Sequence, residues 1–228
     1  DYLGQTRPNV LFGGGANGMS VPAAVAAGYT VVSNHATLMA LDAEIETHVS
    51  GQFGTSHLPY VYEGLGSMPS LSNMTSVALD ILDNDPDGFF LMVEGGAVDW
   101  ASHDNQSGRM IEEALDFERS VEAVVEWVQK NSNWGETLLI VTGDHETGYL
   151  TGPGSDPAWT PIVNNGAGNL PGMEWHSGSH TNSLMILSAK GDAARLFNGY
   201  ADGFDPVYGR YADNTDVAKV IFWTMGPQ

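Results

Sequence analysis

Cysteine is absent from this chain. That excludes disulfide cross-links and thiolate metal sites, and it leaves the redox compartment undecided. Basic residues are scarce: 8 lysines and arginines stand against 28 aspartates and glutamates, for a formal net charge of −20 and an isoelectric point near 4.3. Such a chain repels nucleic-acid phosphates and anionic lipid headgroups, so neither a nucleic-acid partner nor a membrane surface is expected. No apolar run approaches the roughly 20 residues that span a bilayer. The opening stretch, DYLGQTRPNV, has neither the basic nor the apolar region of a signal peptide. It also lacks an initiator methionine, and a processed product or excised piece is the expectation.

What is present describes a folded protein. Hydrophobic residues make up 42% of the 228, an ordinary share for a globular chain long enough for one sizeable core. The acidic excess suits a solvated surface in a salty or cold setting, and some of the carboxylates are free to bind cations. Five segments read as buried parallel strands: Asn9–Gly15, Tyr29–Asn34, Phe89–Gly96, Thr137–His145 and Ser183–Ala189. Their centres are continuous apolar runs, as in sheets covered on both faces.

Helical patterns separate these runs. Ser70 is placed to cap a helix whose Leu71, Met74, Ala78, Ile81 and Leu82 share one face. A longer helix carries an apolar stripe of Ile111, Leu115, Val121, Val124, Val125 and Val128, leaving Glu112, Glu113, Glu118 and Lys130 in water. The alternation predicts an α/β fold, a three-layer α/β/α sandwich, in a single domain over residues 1–228. Residues 151–179, dense in Gly, Pro, Asn and Ser, read as a long irregular loop on the active-site side.

In open α/β sheets, ligands gather outside the carboxyl ends of strands. The run FFLMV is followed by Glu94, then Asp99 and His103; TLLIVTG by Asp144 and His145; and His180 precedes SLMIL. One helical turn would place Asp99 and His103 on a common face. Oxygen and imidazole donors without sulfur suit Zn²⁺ in a catalytic role, and the carboxylate of Glu94 suits Mg²⁺. Left unpaired, Glu94 and Asp99 beside a buried strand would cost several kcal/mol, a cost that a cation removes.

The segments VEGGAVDWASH, TGDHETG and HTN resemble the bacterial branch of the alkaline phosphatase family. The resemblance extends over NVLFGGG, HLPY, PSLSNMTSVALDIL and DNTDVAKVIF, and so over nearly the whole chain. It implies magnesium at Glu94, one zinc at Asp99, His103 and His180, and a second zinc at Asp144 and His145. It implies hydrolysis of phosphate monoesters by a serine nucleophile, with the first zinc serving the leaving group and then water, and the second serving the serine. It further implies a homodimer, in the periplasm or outside the cell.

The family's serine nucleophile, its shared metal-binding Asp, a magnesium-binding Ser or Thr and a phosphate-clamping Arg lie upstream of the GGG segment. The resemblance therefore casts this chain as the C-terminal portion of an enzyme, supplying most zinc ligands and inactive alone. Trp100, directly after Asp99, occupies a position that varies in the family, and is expected to wall the substrate site. Ser102, Ser177 and Ser179 read as loop polar groups, His35, His48 and His57 as structural, and His176 as a surface loop residue. Two other readings stay open at this point. One is a phosphodiesterase or phosphomutase of the same superfamily; the other is a metal-binding fragment without catalysis.

Overall fold

The computed structural model describes residues 6–15, 20–155 and 159–226. Two compact units divide the chain: residues 1–101 with 106–127, and residues 102–105 with 128–228.

The first unit is built on a parallel three-stranded sheet. Its elements are β1 (Val10–Gly13), α1 (Val21–Ala26), β2 (Thr30–Val32), α2 (His35–Met39), β3 (Val49–Gln52), α3 (Leu71–Leu82), the first five residues of α4 (Ala97–His103) and most of α5 (Ser107–Asn131). Strand β3 is central, with Val10 and Thr30 both in register with Val49. The core joins Val32, Leu38, Val49, Phe53, Met74 and Ile81. Strand β3 reads Val-Ser-Gly-Gln and is buried throughout, so its place owes nothing to an apolar run. A Cβ on Gly51 would strike the rings of Phe53 and Phe12: the missing side chain is what lets two aromatic rings close over the sheet.

Helix α3 follows its sequence signals. The Ser70 side chain accepts from the Asn73 N–H, and the Asn73 side chain returns to the Ser70 N–H, a reciprocal capping box. A second acceptor comes from α5, where Asp116 Oδ2 takes the Leu71 N–H at 3.1 Å. A carboxylate at a helix N-terminus also complements the helix dipole. Met74, Ala78, Leu79 and Ile81 are buried along its inner face.

Helix α5 departs from its expected stripe. Asp116, Ser120 and Val128 are its buried positions, and Leu115 is exposed. Glu113, expected in water, is half-buried and accepts the Val61 N–H at 2.7 Å. Arg109 pairs with Glu63 and lies 4.5 Å over the Tyr60 ring. Together these contacts clamp the 3₁₀ turn Val61–Glu63 onto α5, while Ile111, Val121, Val124 and Val125 of the expected stripe are half-buried.

The second unit is a set of short antiparallel pairs. In chain order its elements are β4 (Leu139–Val141), β5 (Glu146–Thr147), β6 (Leu150–Thr151), β7 (Glu174–Trp175), β8 (His180–Thr181), β9 (Ser188–Lys190), α6 (Phe197–Tyr200), β10 (Gly203–Asp205), β11 (Gly209–Tyr211) and α7 (Asn214–Met225). The pairs are β4–β9, β5–β8, β6–β7 and β10–β11. Helix α7 begins with a capping box between Asp213 and Asp216, and the buried Asp216 is paired with Lys219 at 2.6 Å.

Three strand expectations are corrected. Phe89–Gly96 forms no ladder among the described residues, and Phe90 and Met92 stand exposed. Thr137–His145 and Ser183–Ala189 contribute one antiparallel pair, Leu139↔Lys190 to Val141↔Ser188, in place of parallel strands, and Leu184, Met185 and Ile186 are exposed. A run of apolar residues specifies an extended chain that can be covered; it does not specify the direction or presence of a partner.

The 151–179 loop is internally braced. Its ends are joined by β6–β7, Val163 bridges Gly172, and the Gly152 N–H donates to the Thr160 carbonyl at 2.8 Å. Residues 156–158 of it lie outside the described residues.

Candidate metal centre

The second unit assembles His103, Asp144, His145 and His180. The key element is the ladder β5–β8, only two residue pairs long: Glu146 opposite Thr181, and Thr147 opposite His180. Side chains alternate along a strand, so His145 and Thr147 share one face of the chain and Glu146 takes the other. His180, cross-strand from Thr147, therefore lies diagonal to His145 on the same face. Their imidazoles are stacked, with centroids 3.5 Å apart and planes inclined by 22°. His145 Nδ1 lies 3.2 Å from the Thr147 hydroxyl. Its Nε2 lies 3.2 Å from Asp144 Oδ2, on a side chain that is 89% exposed.

His103 arrives at the end of α4. Its Nδ1 is 2.8 Å from the carbonyl oxygen of Gly178. A carbonyl only accepts, so Nδ1 holds the proton of the neutral ring, and Nε2 keeps its lone pair. That Nε2 faces His180 Nε2 at 3.0 Å. Two nitrogens bound at about 2.1 Å to one tetrahedral zinc would be about 3.4 Å apart, so a shift of a few tenths of an ångström brings both lone pairs onto a shared cation. A backbone carbonyl fixing the far nitrogen is the usual way a metal-binding histidine is oriented. Imidazole and carboxylate donors without sulfur fit Zn²⁺ with positions left open.

The turn after β5 sets this geometry. Gly148 has φ +91°, and a Cβ there would strike the Trp175 ring. Its N–H donates to the Ser179 carbonyl, and its carbonyl accepts from the N–H groups of His176 and Ser177. The last glycine of TGDHETG thus knits the loop end at 176–179 to the strand carrying His145. His176 donates from Nε2 to the Thr151 hydroxyl at 2.8 Å, since that hydroxyl donates onward to the Gly152 carbonyl.

The remaining sequence candidates belong to the first unit. Asp99 is half-buried on α4, one turn before His103. Glu94 is exposed, and it joins no group of three metal-donor side chains among the described residues. Trp100, 42% exposed, packs edge-on against His57 with ring centroids 4.9 Å apart. His57 Nδ1 donates to the Leu58 carbonyl at 2.8 Å. The glycine run after β1 supports this segment, because a Cβ on Gly14 would collide with the Ser56 carbonyl. Sequence reasoning took His57 as structural and assigned nothing to Gly178, Glu146 or Thr181. The spacing of TGDHETG and HTN held no sign that these two segments pair.

The sequence profile of the family described as alkaline phosphatase matches residues 19–186. Alkaline phosphatase 3 of Bacillus subtilis is 34% identical over 151 residues, covering 64% of this chain and 31% of that protein. Alkaline phosphatase of Escherichia coli is 28% identical over 251 residues, covering 91% of this chain and 53% of that protein. The chain thus spans about a third to a half of the length of these relatives. Among solved structures, the cold-active alkaline phosphatase of a psychrophilic Shewanella superposes with a TM-score of 0.75 at 22% identity, over 98% of this chain and 67% of that one. The Thermus thermophilus alkaline phosphatase superposes with a TM-score of 0.68 at 21% identity, over 96% of this chain and 67% of that one. These superpositions give the α/β fold of both structures to this chain, covering part of each.

Proposed function

The chain belongs to the alkaline phosphatase family, and from that membership we propose that it carries the metal-holding part of a site for phosphate-monoester hydrolysis. Asp99, His103 and His180 would hold one zinc, Asp144 and His145 a second, and Glu94 a magnesium ion. When bound, such ions polarise the phosphoryl group and offset charge on the attacking and departing oxygens.

The chain's own residues supply the preparation. The Gly178 carbonyl accepts from Nδ1 of His103 and so turns Nε2 toward His180. The ladder β5–β8 keeps His145 and His180 in one stack. The Asp144 carboxylate is exposed beside His145, within reach of an ion arriving from solvent. Trp100 would wall the organic part of the ester, its ring steadied by His57. In the same reading the whole protein works in the periplasm or outside the cell, as a homodimer. No helix among the described residues is long and apolar enough to cross a membrane.

The observation that carries the proposal is the approach of the His103 and His180 Nε2 atoms to 3.0 Å. Elemental analysis of the purified chain and of His180→Ala tests it. About one tightly held zinc per chain, lost in the variant, supports the reading. Equal zinc in both, or none in either, defeats it.

A further inference from the structure

Glu146 and Thr181 occupy the reverse face of the ladder that carries the histidines. Thr181 Oγ1 donates to Glu146 Oε2 at 2.5 Å, directly across the rung next to Thr147–His180. The other carboxylate oxygen, Oε1, accepts the Leu150 N–H at 3.3 Å, closing the turn that leads from β5 into β6. Thr181 Oγ1 is tied in turn to Ser183: its one proton goes to Glu146, so it accepts from the Ser183 hydroxyl at 3.2 Å and from the Ser183 N–H at 3.4 Å. Both side chains are half-buried.

A two-pair ladder is far too short to fix its own register, because isolated two-stranded pairs are marginal even when longer. A slip of one residue would send His180 to the opposite face from His145. The Thr181–Glu146 side-chain bond on the reverse face resists that slip, and a charged acceptor makes it stronger than a neutral one. The stack of His145 on His180 lies on the face opposite that rung.

We propose that Glu146 is a positioning residue of the metal centre. Through Thr181 it holds the register of β5 and β8, and so the distance between two metal ligands on different strands. The inference rests on the reading of His145 and His180 as ligands. Loss of the strut should loosen metal binding and alter the ligand field, with the remainder of the unit still folded.

The test is zinc affinity by chelator competition, together with the visible absorption bands of the cobalt(II)-loaded chain. Wild type, Glu146→Ala, Thr181→Val, Thr181→Ser and the double variant Glu146→Ala/Thr181→Val are compared. Expected are a loss of about 10-fold or more in affinity for Glu146→Ala and for Thr181→Val and shifted or weakened cobalt bands in both. Thr181→Ser, which keeps the hydroxyl, should be near wild type, and the double variant no worse than the weaker single. Wild-type affinity and spectrum in Glu146→Ala would overturn the proposal. If Glu146→Ala fails to fold, Thr181→Val decides: wild-type behaviour there overturns it equally. A wild-type chain that binds neither metal would instead sink the ligand assignment itself, a separate outcome.

Discussion

His103 and His180 stand 77 positions apart in sequence and turn their Nε2 atoms toward each other across 3.0 Å. The relationship has two independent supports, the Gly178 carbonyl behind one ring and the β5–β8 ladder behind the other. If both rings serve one ion, removing either should abolish the same binding event. His103→Ala and His180→Ala are each expected to weaken zinc binding by about 10-fold or more, and the double variant should lose no more than the worse single. Competition titration with a chelating dye reads this directly; additive losses would mean two separate sites.

Gly148 and Gly154 make a matched pair for testing the turn behind His145. Both have positive φ, +91° and +78°, but only Gly148 has an aromatic ring where a Cβ would go. Gly154→Ala should cost about 1 kcal/mol from backbone strain alone. Gly148→Ala adds the displacement of Trp175, and is expected to cost about 2–3 kcal/mol and to weaken zinc binding. Urea unfolding of both variants checks the difference; equal costs would remove Trp175 from the account.

Glu113 gives the first unit a pH dependence of known sign. Its carboxyl is pushed above the ordinary glutamate range by burial. The Val61 N–H opposes that shift, and the charges of Asp116 and Glu63 add to it. Arg109 is the cation of the same clamp. Unfolded Glu113 loses its proton at lower pH than folded Glu113, so stability falls as pH rises from the ordinary glutamate range through the raised value. Glu113→Gln keeps an oxygen for the Val61 N–H and removes the charge. It should flatten that slope and be at least as stable as wild type at neutral pH, measured by urea unfolding across the range.

Ser70→Ala removes one half of the capping box on α3 and should cost about 1 kcal/mol. The Asp116 carboxylate still holds the Leu71 N–H in that variant. The two acceptors serve different donors, the Asn73 and the Leu71 N–H, so Ser70→Ala/Asp116→Ala is expected to lose about the sum of the two single changes. Chemical denaturation of the four proteins closes the cycle.

His57→Ala should release the Trp100 ring. The indole N–H resonance of Trp100, assigned by its absence in Trp100→Phe, is expected to shift and broaden in His57→Ala. An unmoved resonance would mean that α4 alone orients the ring.

Local signals were legible in the sequence, and pairing was not. The capped apolar face of α3 and the strands β1 and β2 were visible because cap and period lie within a few residues of one another. Strand β3 was hidden, since Ser50, Gly51 and Gln52 are buried as sheet centre by the rings of their neighbours and not by their own hydrophobicity. Phe89–Gly96 misled in the opposite sense, being apolar yet without a ladder among the described residues. At the candidate metal centre, His103, Asp144 and His145 stand out in the sequence by residue type after apolar runs, and His180 by its place before one. Glu146 and Thr181 do not, because their relationship exists only once β5 meets β8.

The bracing of residues 151–179 separates what that segment must keep from what it is free to change. Its two ends are fastened to each other by Leu150–Trp175 and Thr151–Glu174, and its final residues carry the Gly178 carbonyl that steadies His103. Everything between those fastened ends is a cassette. Recombination, or a protein engineer, can exchange its interior for a longer or shorter insert and alter what the loop touches, while the imidazoles keep their positions.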